Sequence, residues 1–204
     1  MTARGGLAVG RLHGPRVRRL HLVGASGAGT TTLGIALATR LGCPHFDTDD
    51  YYWLPTVPKF QTPREAAVRR ALLGADLDHN AAWVLSGSLC GWGDVFIPLF
   101  DLVVFMALPR EVRLARLRER ERARYGAEAI AAGGALHAQH EAFMAWAASY
   151  DDGDTDIRSR ALHEHWLATL PCPVLRLEEP RTVHENLIAV LARLDAAPGS
   201  PARS

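Results

Sequence analysis

The chain has 204 residues, 48% of them hydrophobic and 22% charged, so it can bury a core and is not disordered by composition. Lys+Arg 23 against Asp+Glu 22 leaves a net charge of +1, which argues against a protein whose main task is coating nucleic acid or an anionic membrane. The three cysteines, Cys43, Cys90 and Cys172, form no Cys-x-x-Cys pair and suggest neither a disulfide framework nor a zinc knuckle; three reduced, mostly buried thiols are expected.

Residues 1–16 are aperiodic and rich in Gly, Ala and Arg, and are expected to be a disordered extension. They hold no apolar stretch ahead of a small-residue cleavage site, so the expected compartment is the cytoplasm. Val17–Val23 reads as a strand feeding a glycine-rich turn, followed by a helix Thr30–Leu41 that Gly42 stops. His45–Asp47 is a short second strand. Thr62-Pro63-Arg64-Glu65 has the form of a capping box opening a helix to about Leu77. Trp83–Leu85 is a third strand, and Leu102–Met106, an uninterrupted apolar run, is a buried fourth. Helices are expected over Pro109–Tyr125, Leu136–Tyr150 and Ile157–Leu170, the last capped by Asp156. Val174–Leu177 is a fifth strand. Thr182-Val183-His184-Glu185 is a second capping box, opening a helix to about Leu194, and 196–204 is expected to be a disordered tail. This alternation implies one α/β domain over 17–195, a parallel sheet between two helical layers.

The segment Gly24-Ala25-Ser26-Gly27-Ala28-Gly29-Thr30-Thr31-Thr32 lies between the first strand and its helix. Glycines there let successive backbone N–H groups converge on phosphate oxygens, with the helix N-terminus behind them. The spacing matches G-x-x-x-x-G-K-[ST], with Thr31 at the Mg²⁺-coordinating hydroxyl position and Thr30 where lysine is expected. Lys59 is the only lysine in the chain, so unless it reaches the loop, an arginine must supply the cation. The lysine-less loop resembles those of phosphoribulokinases and archaeal cytidylate kinases, which are active phosphotransferases.

Asp47-Thr48-Asp49-Asp50 follows the second strand, at the sheet edge where α/β proteins bind ligands. From Leu20 to about Leu194 the chain resembles the small P-loop kinases of the shikimate, gluconate and nucleoside monophosphate (adenylate) kinase group. The resemblance implies a three-layer α/β/α P-loop NTPase with a five-stranded parallel sheet and a helical lid at about 123–156. It implies ATP and Mg²⁺ as cofactors, bound by Gly24, Ser26, Gly27, Ala28, Gly29, Thr30, Thr31 and Thr32. Asp47 would serve the metal with Thr31, and Asp49 would hold the acceptor hydroxyl as its base. Arg181, in the loop after the last strand, would stack on the adenine. One departure is Ser86-Gly87, where nucleoside monophosphate kinases carry Asp-Gly; it shifts the metal-binding task to Asp47.

Arg113, Arg116, Arg120 and Arg124 fall on one stripe of the helix after the fourth strand. Arg116 or Arg120 is expected to clamp the transferring phosphoryl group and the rest to be solvated, with Arg158 and Arg160 a second candidate pair. Tyr51, Tyr52, Trp53, Phe60 and Trp92 form either a stacking wall for an acceptor or the packing of a covering segment. Asp151–Asp156 fails the EF-hand pattern, and neither His137-x-x-His140 nor His163-x-His165 has partner ligands. The expected activity is transfer of the γ-phosphate of ATP to a hydroxyl or phosphate of a small metabolite, by a monomer or weak homodimer that binds no nucleic acid or membrane. The alternatives are a nucleoside or nucleotide kinase and a non-catalytic nucleotide-binding regulator.

Overall fold

The computed structural model describes residues 19–196. The expectations for 1–16 and for the last residues of the tail, and the start of the first strand at Val17, lie outside them. Five strands pair in parallel in the order β2-β3-β1-β4-β5. They are β1 (Arg19–Gly24), β2 (His45–Asp47), β3 (Trp83–Ser86), β4 (Leu102–Met106) and β5 (Val174–Leu177). Apolar side chains on both faces of β1 and β4 explain their central places, because a strand buried on both sides has no polar face to solvate. Side chains alternate between the faces. Leu20, Leu22, Leu102, Val104 and Met106 pack beneath α1 (Thr30–Leu41) and α8 (Val183–Asp195). On the other face, Val23, Leu85, Val103 and Phe105 meet α3 (Ala66–Asp78), α7 (Arg160–Ala168) and a 3₁₀ segment, Asp94–Leu99.

Two further helices pack mainly on each other. α4 (Arg110–Tyr125) packs on α6 (His137–Ala148) through Leu117, Met144 and Ala147, with the short α5 (Ala127–Ile130) between them. α2 (Thr48–Tyr52), which the sequence did not suggest, is a single turn capped by Asp47, whose carboxylate accepts from the Asp49 N–H at 3.0 Å.

Two local expectations fail. Thr62 does not cap α3, which begins at Ala66 with no side-chain bond at its N-cap, Glu65. Residues 62–64 are instead drawn alongside 52–54, where Leu54 N–H donates to the Thr62 carbonyl at 2.9 Å and Arg64 N–H to that of Tyr52 at 2.7 Å. Nor does Asp156 cap α7. The cap is Ser159, buried, whose Oγ accepts from Leu162 N–H at 3.0 Å while donating to the Asp154 carbonyl at 2.7 Å. The second capping box forms as expected: Thr182 Oγ1 accepts from Glu185 N–H, and the Glu185 carboxylate from Thr182 N–H.

No helix among the described residues is long and apolar enough to cross a membrane.

Candidate functional site

The sheet register brings the carboxyl ends of β1, β2 and β3 together: Leu22 stands beside Ser86, and Ser86 beside Asp47. From β1 the chain turns through 24–29 into α1. Gly27 and Gly29 have φ of 82° and 98°, a conformation that L side chains rarely adopt. A Cβ on Gly27 would also stand 2.7 Å from the Arg113 carbonyl oxygen, so the loop is seated directly on the first turns of α4. Gly29 gives α1 no side-chain cap, and no acidic residue lies in the first turn. The first-turn N–H groups thus face no side-chain cap and no acidic residue of their own helix, an arrangement that suits an anion.

Thr31 and Asp47 meet beneath this loop. Thr31 Oγ1 donates to Asp47 Oδ2 at 2.7 Å. Ser86 Oγ reaches the same oxygen at 3.3 Å and lies 2.9 Å from His45 Nε2. His45 in turn packs against α1, where a Cβ on Gly34 would lie 2.7 Å from its Nε2. Among the described residues no three His, Cys, Asp or Glu side chains cluster as a metal cage. Thr31 and Asp47 still fit Mg²⁺: both offer hard oxygens, and Mg²⁺ usually keeps several waters and takes further ligands from substrate phosphates.

Asp49 opens into a cavity of ≈ 720 Å³ whose walls come from α2, the Ser88–Trp92 segment, α4, α6 and the approach to α7. Its side chain is accessible from within the cavity, yet the crowding walls raise its pKa, and the neighbouring Asp47 raises it further. Arg158, Arg120 and a hydrogen bond from Trp53 oppose that shift. Burial and Asp47 push Asp50 in the same direction, with Lys59 and His45 opposing.

The arginine stripe divides. Arg113, expected to be solvated, is fully buried and does not line the cavity. It donates to the carbonyls of Leu108 (3.1 Å), Ser26 (3.5 Å) and Ala147 (3.3 Å) and pairs with Asp151. Arg116 is exposed and leans over the phosphate loop, its Nη1 3.7 Å from where a Cβ would stand on Gly29. Arg120 and Arg124 line the cavity. Arg158 does too, and its Nη2 donates to the Gly24 carbonyl at 2.9 Å while its guanidinium lies 5.8 Å from the Trp146 ring centre. The other arginine of that pair, Arg160, faces away and bonds Glu178 at 3.0 Å. Arg181 pairs with Glu179 at 3.0 Å on the exposed loop after β5. Of the loop residues, Ser26 lines the cavity, Gly24 and Ala28 are buried, and Thr30 and Thr32 open α1.

The aromatic residues also divide. Tyr52, Trp53, Phe60 and Trp92 line the cavity, joined by Tyr125, Phe143 and Trp146. Tyr51 turns into the core, its hydroxyl donating to Asp76 at 2.7 Å. Below the floor, buried His163 bridges Ser88 Oγ (3.2 Å) and the Tyr150 hydroxyl (2.8 Å), and desolvation lowers its pKa to about 3. The cysteines are free and half-buried, less enclosed than expected; Cys90 lines the cavity with its thiol pKa raised by burial.

Glu121, three residues before Arg124, has the spacing of a surface pair, yet only 7% of its side chain is exposed and it lines the cavity. Ser86 reads in the sequence as a lost carboxylate opening a glycine-rich segment suited to close backbone approach, and its contact with Asp47 had no signal beyond its place at the end of a strand.

No protein-family model matches the chain. Its fold is similar to that of a shikimate kinase from Bacteroides thetaiotaomicron, with a TM-score of 0.52 and 19% identity over 89% of this chain and 99% of that one. A sugar kinase from Janibacter sp. HTCC2649 gives a TM-score of 0.50 at 19% identity, over 89% of this chain and 96% of that one. A deoxyadenosine kinase from M. mycoides gives 0.50 at 11%, over 88% and 100%. These likenesses establish the architecture as a three-layer α/β/α P-loop kinase fold. In sequence the chain is 50% identical over 179 residues to the uncharacterized protein YqaC of Bacillus subtilis (strain 168), covering 88% of this chain and 98% of that protein. The chain belongs to the YqaC family.

Proposed function

We propose that this protein is an ATP- and Mg²⁺-dependent phosphotransferase that moves the γ-phosphoryl group to a hydroxyl of a small molecule held in the cavity. The observation that carries the reading is the 2.7 Å contact between Thr31 and Asp47 beneath the phosphate loop, with Asp49 two residues on and open to the cavity. Thr31 and Asp47 would hold Mg²⁺, which when bound neutralises charge on the phosphates. Ser86 and His45 orient the Asp47 carboxylate. The loop N–H groups and the α1 N-terminus receive the phosphate oxygens. With threonine at position 30, Arg116 and Arg158 supply the positive charge. Asp49 accepts the acceptor's proton, and its raised pKa makes it a better base than an ordinary carboxylate.

The segment of about 123–156 acts as a lid that excludes water, since Ile130, Leu136, Gln139, His140, Phe143 and Trp146 form the cavity wall there. Arg110 and Arg113 tie its far end to α4 through Asp151.

The test is ADP release over a panel of nucleosides, monophosphates, polyols and amino sugars. At least one acceptor should raise release above the ATP-only blank, and Asp49→Asn should abolish that increment while leaving ATP binding intact. Full turnover in Asp49→Asn sinks the base assignment. Tight ATP binding with no stimulating acceptor favours a nucleotide-binding regulator instead.

A further inference from the structure

The wall opposite Asp49 carries a charged group to which phosphoryl transfer assigns no task. Glu121, on α4, lines the cavity although only 7% of its side chain is exposed. Its Oε1 lies 3.4 Å from Arg120 Nη2 and 3.7 Å from Arg124 Nη1. Both guanidiniums also rest on rings, Arg120 at 5.6 Å from the centre of Phe143 and Arg124 at 5.0 Å from that of Phe60. Arg158, the third cavity arginine, is held by the Gly24 carbonyl at the phosphate-loop end. Three carboxylates, Asp49, Glu121 and Asp156, line the same space as these three arginines.

This balance bears on what can enter. A phosphate or carboxylate on the acceptor would meet arginines already paired with Glu121, and would bring a like charge beside that enclosed carboxylate. A flat uncharged ring would meet aromatic side chains at Trp53, Trp92, Phe143 and Trp146, and an amide at Gln139 able both to donate and to accept. We infer that the acceptor is an uncharged alcohol bearing a flat ring, nucleoside in class, and that Glu121 excludes acidic acceptors by occupying Arg120 and Arg124. The inference rests on the phosphotransferase reading of the same cavity.

Trp53, Trp92 and Trp146 allow binding to be followed by tryptophan fluorescence without turnover. Thymidine, deoxycytidine and deoxyguanosine, each with its 5′-monophosphate, and shikimate are titrated into the full chain with and without saturating Mg²⁺ and a non-hydrolysable ATP analogue. At least one nucleoside should bind about tenfold or more tightly than its own monophosphate and than shikimate. Glu121→Gln keeps the shape, frees the arginines and should narrow that ratio at least about threefold; Arg124→Gln should widen it.

The inference is overturned if no nucleoside binds, if a monophosphate or shikimate binds as tightly as every nucleoside, or if neither variant moves the ratio. The wild-type comparison decides the acceptor class even where a variant fails to fold. Nucleoside preference without ADP release from ATP would overturn the phosphotransferase reading alone. ADP release stimulated only by acidic acceptors would overturn this inference and leave that reading in place.

Discussion

Arg113 and Arg116 stand three residues apart on one helix, and replacing each with methionine should have opposite consequences. Arg113 has 0% side-chain exposure and spends its guanidinium on three carbonyls and on Asp151. Methionine fills much of the volume but leaves those carbonyls without their donor and Asp151 with Arg110 as its remaining arginine. Removing one member of a buried ion pair costs about 3–5 kcal/mol. Asp151 keeps 27% exposure and can rehydrate, which places the loss near the lower end, about 3 kcal/mol. In a domain of this size that lowers Tm by about 6–12 °C. ATP affinity should fall with it, because the Ser26 carbonyl on the phosphate loop is one of the groups released.

Arg116 is exposed, and no ion pair among the described residues holds it. Its replacement should change stability by less than about 0.5 kcal/mol. If it supplies charge to the transferring phosphoryl group, turnover should drop roughly 10²–10³-fold. Thermal melts and ADP release on the two variants give the comparison. Arg113→Met within about 1 kcal/mol of wild type, or Arg116→Met with undiminished turnover, would refute the division of the stripe argued above.

Thr31→Val removes the hydroxyl that bonds Asp47; ADP release should fall about 10²-fold and require more Mg²⁺, and an unchanged Mg²⁺ titration would argue against a metal role for this pair. His21 and His163 are buried with pKa values lowered to about 3 by desolvation, so they fold uncharged. Below the unfolded value near 6.5 the unfolded chain binds the extra protons, so stability falls as pH falls, by about 2 kcal/mol per histidine between pH 7 and pH 5. His21→Phe should remove about half of that slope in urea melts at the two pH values, because His21 Nε2 has no hydrogen-bond partner among the described residues and its ring already stacks on Phe100; an unaltered slope would be contrary evidence. Thr182→Ala breaks the capping box of α8 and should cost about 1 kcal/mol in the same melts, and no loss would mean that the cap is energetically idle.

Features under short-range chemical control are legible in the chain directly. The all-apolar run 102–106 is typical of a strand buried on both faces, and it is one. The glycines of 24–29 and the threonines after them marked the turn into α1 and the position of Thr31, and the Asp-x-Asp after β2 marked the carboxylates near it.

Tertiary structure decided which of several equivalent side chains are in place for chemistry. Helical spacing put Arg113 and Arg116 on the same stripe, but Asp151, 38 residues away, draws the first into the interior. Arg158 reaches the phosphate loop across 134 residues of chain, and nothing in its own neighbourhood separates it from Arg160. The signature at Thr62 was locally sound and lost to pairing with 52–54. Turn and strand preferences act over a few residues. The burial of a charge and the company a carboxylate keeps depend on which distant segments fold against it, and only the folded chain settles that.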